Sequence, residues 1–294
     1  MFFHSNGLGL TSSLQRFFIF YRANLRIEIA DGDFTFSIKR ISILAILLFL
    51  SPLLICWNHL GFFLDDVLYP DWKLQRIDDP LFLVGNARSG TTWLHRLIAL
   101  DEETFTSFRT WEIIFGASVT WRKAIINLYI FDELFIFGLH YKLICFIEKL
   151  LVNSALVHQV GLQEVEEDEW LMMHIFLSQL VLLLFPLGGA ILYPAVSFDK
   201  ANLDDLPLET RNQIFVFYRQ CVQRHLYVRA GGSSHSRSRI FLSKNPPFTM
   251  RLAQLYKYFP TCRVACLLRD PVQSIPSMIS YIGQVCVSSQ RVKR

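Results

Sequence analysis

PLFLVGNARSGTTWLHRLIAL, residues 80–100, is the stretch from which the rest of the chain is read. Four apolar residues (Leu81, Phe82, Leu83, Val84) lead into a turn bounded by Gly85 and Gly90. Two threonines follow, then apolar positions at Trp93, Leu94, Leu97, Ile98 and Leu100. This pattern predicts strand, tight loop and helix in that order. Such a loop aims several backbone N–H groups and the positive end of a helix at one point, which is how proteins hold phosphate. A strand-to-helix turn without a ligand is the plainer use of the same pattern.

The spacing approaches the nucleotide-binding P-loop, G-x-x-x-x-G-K-[ST]. Gly85 and Gly90 stand at the glycine positions and Thr92 at the final hydroxyl, but Thr91 replaces the lysine and the cation lies inside the loop as Arg88. Kinases and NTPases place their lysine on the β/γ-phosphates and usually hold Mg²⁺. This loop is poorly equipped for that task. It suits an anion gripped by backbone amides, two hydroxyls and a guanidinium.

Downstream, apolar runs at 240–243 and 263–268 read as strands, each followed by a turn (Lys244-Asn245-Pro246-Pro247; Arg269-Asp270-Pro271) and a helical pattern at 248–259 and 272–282. A longer helix is expected over 207–228, with Pro207 at its first position. Strands alternating with helices imply a parallel α/β sheet with right-handed crossovers. The low-complexity AGGSSHSRSR at 230–239 reads as a mobile surface loop.

Upstream, residues 41–64 (ISILAILLFLSPLLICWNHLGFFL) carry no Asp, Glu, Lys or Arg. That length suits a bilayer-crossing helix. Lys39-Arg40 before it and Asp65-Asp66 after it orient the basic side to the cytosol. The expected organisation is a cytosolic tail at 1–40, a transmembrane signal-anchor at 41–64 and a domain at 75–294 facing a Golgi or ER lumen. Pro52 also permits a helical hairpin dipping into one leaflet. Residues 124–152 read as amphipathic helices, and 170–196 as a buried core helix interrupted at Pro186.

Between those stretches lies an acidic run, HQVGLQEVEEDEW, ahead of an apolar pattern. Carboxylates are favoured at a helix N-terminus by its dipole. Within this run Glu164, Glu166, Glu167 or His158 is a candidate general base. Composition narrows the classes further. The 294 residues are 52% hydrophobic and 14% aromatic, with 26 Phe and a net charge of +4. So mild a charge, with no dense basic stripe, argues against nucleic acid as a partner. The six cysteines form no C-x-x-C pair, so neither zinc nor a disulfide framework is supported. Cys262 and Cys266 are expected in the core.

Two segments resemble a known family. GNARSGTTWLHRL is similar to the 5′-phosphosulfate loop of sulfotransferases that use 3′-phosphoadenosine 5′-phosphosulfate (PAPS). RVACLLRDPVQSIPSM resembles their 3′-phosphate motif, with Arg269 followed by Ser277 on the next helix. Lys244-Asn245-Pro246 stands where such enzymes often carry Lys-Ser-Pro, which makes Lys244 a candidate to assist the bridging oxygen, with a surface residue at a strand end as the plainer reading. The EEDE run looks like the acidic segment of the broad bacterial and protist branch.

The resemblance implies a three-layer, P-loop-like α/β fold around a central parallel sheet, preceded here by a membrane-anchor helix. It implies PAPS as co-substrate without a metal. Asn86, Arg88, Ser89, Gly90, Thr91, Thr92 and Trp93 would serve its 5′ end, and Arg269 and Ser277 its 3′-phosphate. The implied acceptor is a hydroxyl or amine of a lipid, glycan or small molecule. Relatives often carry Pro at the position of Ala87 and a polar or His residue at that of Leu268. They continue with further helices, so a chain ending at Arg294 is expected to be C-terminally truncated. A P-loop phosphotransferase and an inactive membrane adaptor of the same fold are the alternative readings.

Overall fold

The computed structural model describes residues 8–30, 38–135, 161–178, 208–232 and 239–289. In chain order these contain α1 (Leu10–Ala30), α2 (Ile38–Leu68), β1 (Leu81–Gly85), α3 (Thr91–Ile98), β2 (Phe105–Thr106), α4 (Thr110–Ile114) and α5 (Val119–Phe135). They continue with α6 (Leu208–Arg229), β3 (Ile240–Lys244), α7 (Leu252–Tyr258), β4 (Arg263–Leu267) and α8 (Pro271–Ser289). Short 3₁₀ segments cover Pro70–Leu74, Asp168–Ile175 and Pro246–Met250.

The described strands form one parallel sheet in the order β2-β3-β1-β4. β1 lies between β3 and β4 in the sheet, and Phe82, Leu83 and Val84, which point to alternate faces, are all fully buried, so both faces of the strand are covered. Phe82 is the hub of the core, with the rings of Tyr218, Phe241, Phe248 and Phe259 around it. Gly85 ends the strand at φ +139, and a Cβ there would lie 2.5 Å from the Leu267 carbonyl oxygen of β4. Only glycine lets the two strands stay this close while the chain turns into the loop. Leu83 is level with Lys244 in β3 and Gly85 with Leu267 in β4. The loop after β1, the end of β3 and the turn after β4 therefore emerge at one carboxyl edge of the sheet, where open α/β sheets place their ligands.

Four details depart from the sequence reading. Residues 10–30, expected as a tail, are helical, and Phe17 and Ser13 of α1 are fully buried against the body. The acidic run leads into a 3₁₀ segment rather than an α-helix, because Asp168 and Glu169 turn inward (2% and 0% exposed) instead of capping. The helix expected over 248–259 splits at Arg251, whose backbone leaves the helical region after the Pro246-Pro247 start. Cys262 is buried as expected, whereas Cys266 is exposed on β4. Much of 124–152, most of 170–196 and most of the 230–239 loop lie outside the described residues.

The apolar helix does more than precede the domain. Asp65, fully buried near the end of α2, accepts hydrogen bonds from the Val119 and Thr120 amides at the start of α5 (3.0 and 2.8 Å). It also pairs with Arg224 Nε of α6 at 2.8 Å, and that guanidinium lies 3.7 Å from the Trp72 ring centroid. Breaking such a buried pair strands its partner charge, at a cost of about 3–5 kcal/mol. Asp65→Ala is accordingly expected to lower unfolding free energy by about 3 kcal/mol or more in urea titrations. A loss below about 0.5 kcal/mol, the range of ordinary surface substitutions, would show that this contact does not hold α2 to the body.

Candidate active site

Three elements build the site. The loop after β1 turns sharply: the Ser89 amide donates to the Asn86 carbonyl at 3.2 Å, Arg88 sits in the left-handed region at φ +68, and Gly90 at φ +90 starts α3. A left-handed arginine costs on the order of 1–2 kcal/mol, so something must hold it. The hold comes from the turn after β4, where Arg269 donates from a terminal guanidinium nitrogen to the Arg88 carbonyl at 3.0 Å. In return, Arg88 Nε donates to Ser277 Oγ on α8 at 3.0 Å. The two sequence motifs, nearly two hundred residues apart, thus meet side by side.

Local supports explain why the pieces stay in place. Asp270 Oδ1 accepts from the Val272 amide at 2.9 Å, capping α8. Gln273 Oε1 accepts from Arg269 Nε at 3.4 Å and steadies the guanidinium. The Gly85 amide donates to Thr249 Oγ1 at 2.8 Å, which fixes where the loop departs. At the start of α3 the first-turn amides have no carbonyl one turn back to bond, and Thr91, Thr92 and Trp93 occupy that turn. Thr91 is buried, whereas Trp93 is 69% exposed and presents its indole to solvent.

Beside the loop, Lys244 closes β3 with only 3% of its surface exposed, and its Nζ lies 3.1 Å from Glu167 Oε2. Burial pushes the Glu167 carboxyl up from its ordinary value, and the Lys244 charge opposes that shift. Beneath them His95 of α3 contacts Ser107 Oγ through Nε2 at 3.1 Å. Burial first, then the Lys244 and Arg96 charges, holds its imidazole neutral with a pKa lowered to about 3.

The expected residues divide. Arg88, Arg269 and Ser277 come together, as do Lys244 and Glu167. Glu164 lies at the surface, 3.8 Å from Arg96 Nε, and Glu166 is turned back to accept from the Glu167 amide at 2.9 Å. His158 lies outside the described residues. Sequence reasoning missed His95, Thr249 and Gln273, and it missed the inward course of the acidic run. There Asp168 accepts from the Tyr218 hydroxyl at 2.5 Å, and Glu169 accepts from Asn245 at 3.3 Å and lies 3.7 Å from the buried Arg251. The spacing of His95 to Thr91 on one helix face was the one available signal.

No family model and no curated protein matches the chain. Among solved structures it is similar to sulfotransferase STF9 from Mycobacterium avium, with a TM-score of 0.60 and 14% identity. It is also similar to sulfotransferase STF1 from Mycobacterium tuberculosis H37Rv, with a TM-score of 0.57 and 17% identity. Each comparison covers 95% of this chain and 66% of the other, so the chain spans about two thirds of their length. The mixed α/β architecture with its parallel sheet is thus the fold of these sulfotransferases.

Asp168 gives a test of the inward acidic run. Burial raises its pKa from 3.8 to about 7, with the Tyr218 and Ser243 hydrogen bonds opposing the shift. Between these values the native state binds the extra proton, so this group's contribution to stability falls as pH rises from about 4 to 7. Relative to wild type, Asp168→Asn should gain stability across that interval, with an upper bound of about 4 kcal/mol. The effects of neutral His95 and His174, which run the opposite way, cancel between the two proteins. Denaturation curves at pH 4.5 and 8 check this, and a pH-independent difference would place Asp168 in solvent.

Proposed function

We propose that this chain is a PAPS-dependent sulfotransferase acting on a hydroxyl or amine of a lipid, glycan or small-molecule acceptor. The observation that carries this reading is the meeting of Arg88, Arg269 and Ser277 at the carboxyl edge of the sheet. PAPS bears anionic groups at both ends of its adenosine, and two adjoining guanidiniums, a serine hydroxyl and the first-turn amides of α3 form a donor set of matching chemistry. The likeness in fold to the two mycobacterial sulfotransferases supports the same reading.

When bound, PAPS supplies the sulfuryl group. The chain's own groups bind, orient and move the proton. Arg88, with the hydroxyls of Ser89, Thr91 and Thr92 and the amides from Gly90 onward, takes the 5′ end, where negative charge grows as the sulfuryl group departs. Arg269 offers its planar fork to the 3′-phosphate, with Ser277 adding a hydroxyl. Asn86 and Trp93 flank the same loop. Glu167, raised by burial, accepts the acceptor's proton while Lys244 offsets charge on the leaving oxygen. The acceptor oxygen or nitrogen gains a bond to sulfur and loses its proton to Glu167, and the phosphate oxygen keeps the electron pair of the broken bond.

Lost charge-assisted hydrogen bonds are worth about 1.5–3 kcal/mol each. Arg88→Ala is therefore expected to weaken binding of 3′-phosphoadenosine 5′-phosphate about a hundredfold. Arg269→Ala should bind adenosine nucleotides with and without the 3′-phosphate nearly equally. A variant that keeps the wild-type preference for the 3′-phosphate would remove Arg269 from the assignment. Glu167→Gln and Lys244→Ala should lower turnover of sulfate from radiolabelled PAPS by about 10²–10⁴-fold, with nucleotide affinity changed little. Nucleotide binding without any transfer in wild type would favour an adaptor of the same fold, and protection by ATP–Mg²⁺ alone would favour a phosphotransferase.

A further inference from the structure

The 31-residue α2 has two unlike long faces. One is built for protein. Ile55, Asn58, Gly61 and Asp65 are buried at helical spacing, and Asn58 Nδ2 donates to the Ile114 carbonyl at 3.1 Å. A Cβ on Gly61 would come within 2.4 Å of Ser118 Oγ and the Trp121 ring. The opposite face carries Ile46, Phe49, Leu50, Leu53, Leu60 and Phe63, all exposed, with Phe49 at 71% and Leu53 at 66%. Only 17% of the most apolar part of Ala45–Leu68 is buried.

This geometry conflicts with a helix crossing a bilayer. The half from Ile55 onward is bound to the body through buried polar groups, so lipid cannot surround it. The apolar residues before it, 41–54, extend only about 20 Å at 1.5 Å per residue, short of the roughly 30 Å hydrocarbon core. Moreover, the exposed stripe does not stop where docking starts, since Leu60 and Phe63 continue it. The segment before α2 also returns to the body. Arg16 Nε donates to the Ile175 carbonyl at 2.8 Å, Phe17 packs edge-on against Phe176, and Ser13 Oγ lies 3.1 Å from His59 Nε2. A helix start that touches the catalytic body cannot lie across a membrane from it. Alongside, Trp121 of α5 stacks on Trp57 at 3.9 Å, and the outer half of α5 exposes Leu128, Ile130 and Phe131.

We infer that α2, with the outer half of α5, is a monotopic seat: its exposed stripe lies in the plane of one leaflet, leaving α1 and the Arg88–Arg269 site on the same side of the membrane. The occupant is a lipid surface rather than a second copy of the chain. Interfaces between copies of one chain carry about one hydrogen bond per 100–200 Å² and are about 65% apolar, with a polar rim. The six stripe side chains are hydrocarbon throughout, which a lipid surface accepts and a register-setting interface does not. The inference rests on the docking of α1 and α2, not on the proposed chemistry.

Two experiments on the full chain test it. With an epitope tag at each end and expression into microsomes, both tags should be open to protease from the same side. One tag digested and the other protected would overturn the inference in favour of a spanning helix. In flotation with phosphatidylcholine–phosphatidylserine vesicles, the wild type should rise with the lipid. Leu53→Asp combined with Leu60→Asp should cut the floating fraction at least tenfold with an unchanged unfolding midpoint. A wild-type chain that ignores vesicles and sediments as a dimer would overturn it in favour of a second copy. The tag experiment uses wild-type residues throughout, so it decides even if the double variant fails to fold.

Discussion

The hydrogen bond from Arg269 to the Arg88 carbonyl is the constraint on which the site depends. The loop after β1 must reverse within a few residues, and it does so with an arginine rather than a glycine in the left-handed region. That conformation costs on the order of 1–2 kcal/mol, and a hydrogen bond from a charged donor contributes a comparable amount. The same contact ties the end of β1 to the end of β4 and sets Arg88 within reach of Ser277. A cation in the middle of the loop is thereby held by the cation of the other motif through its backbone.

A second constraint lies one strand away. Lys244 is buried, and a buried ammonium needs a partner. Glu167 supplies it because the acidic run folds inward instead of facing water. Asp168 and Glu169 go deeper still, to Tyr218 and to Asn245 and Arg251. Such clusters are costly to bury and costlier to break. Their effect is to fix the floor of the site, so that Lys244 and Glu167 sit beside the loop at the carboxyl edge of the sheet.

The loop and the second motif were legible in the sequence because their signals are local. Gly85, Gly90 and the threonines define a turn within a few residues, and the parallel sheet followed from alternating strand and helix patterns at 81–84, 240–243 and 263–268. The adjacency of Arg88 and Ser277 depends on strand order, which no local pattern encodes. The acidic run misled for a related reason. Carboxylates ahead of an apolar stretch look like a solvated helix start, whereas partners from other elements, Tyr218, Asn245 and Arg251 among them, make their burial tolerable. The apolar stretch at 41–64 satisfied every compositional rule for a bilayer-crossing helix. Asn58 and Asp65, whose partners lie in α4, α5 and α6, also bind it to the body, and no local pattern encodes those partners.

The central claim is that two adjoining cations form one site for a nucleotide charged at both ends. Calorimetric titration of the wild-type chain with adenosine 5′-phosphate and with 3′-phosphoadenosine 5′-phosphate, without divalent metal, tests it most directly. Binding of the 3′-phosphorylated nucleotide is expected to be tighter by about tenfold or more, since a further charged hydrogen bond is worth about 1.5–3 kcal/mol. Equal affinity for the two nucleotides, or no binding of either, would contradict it.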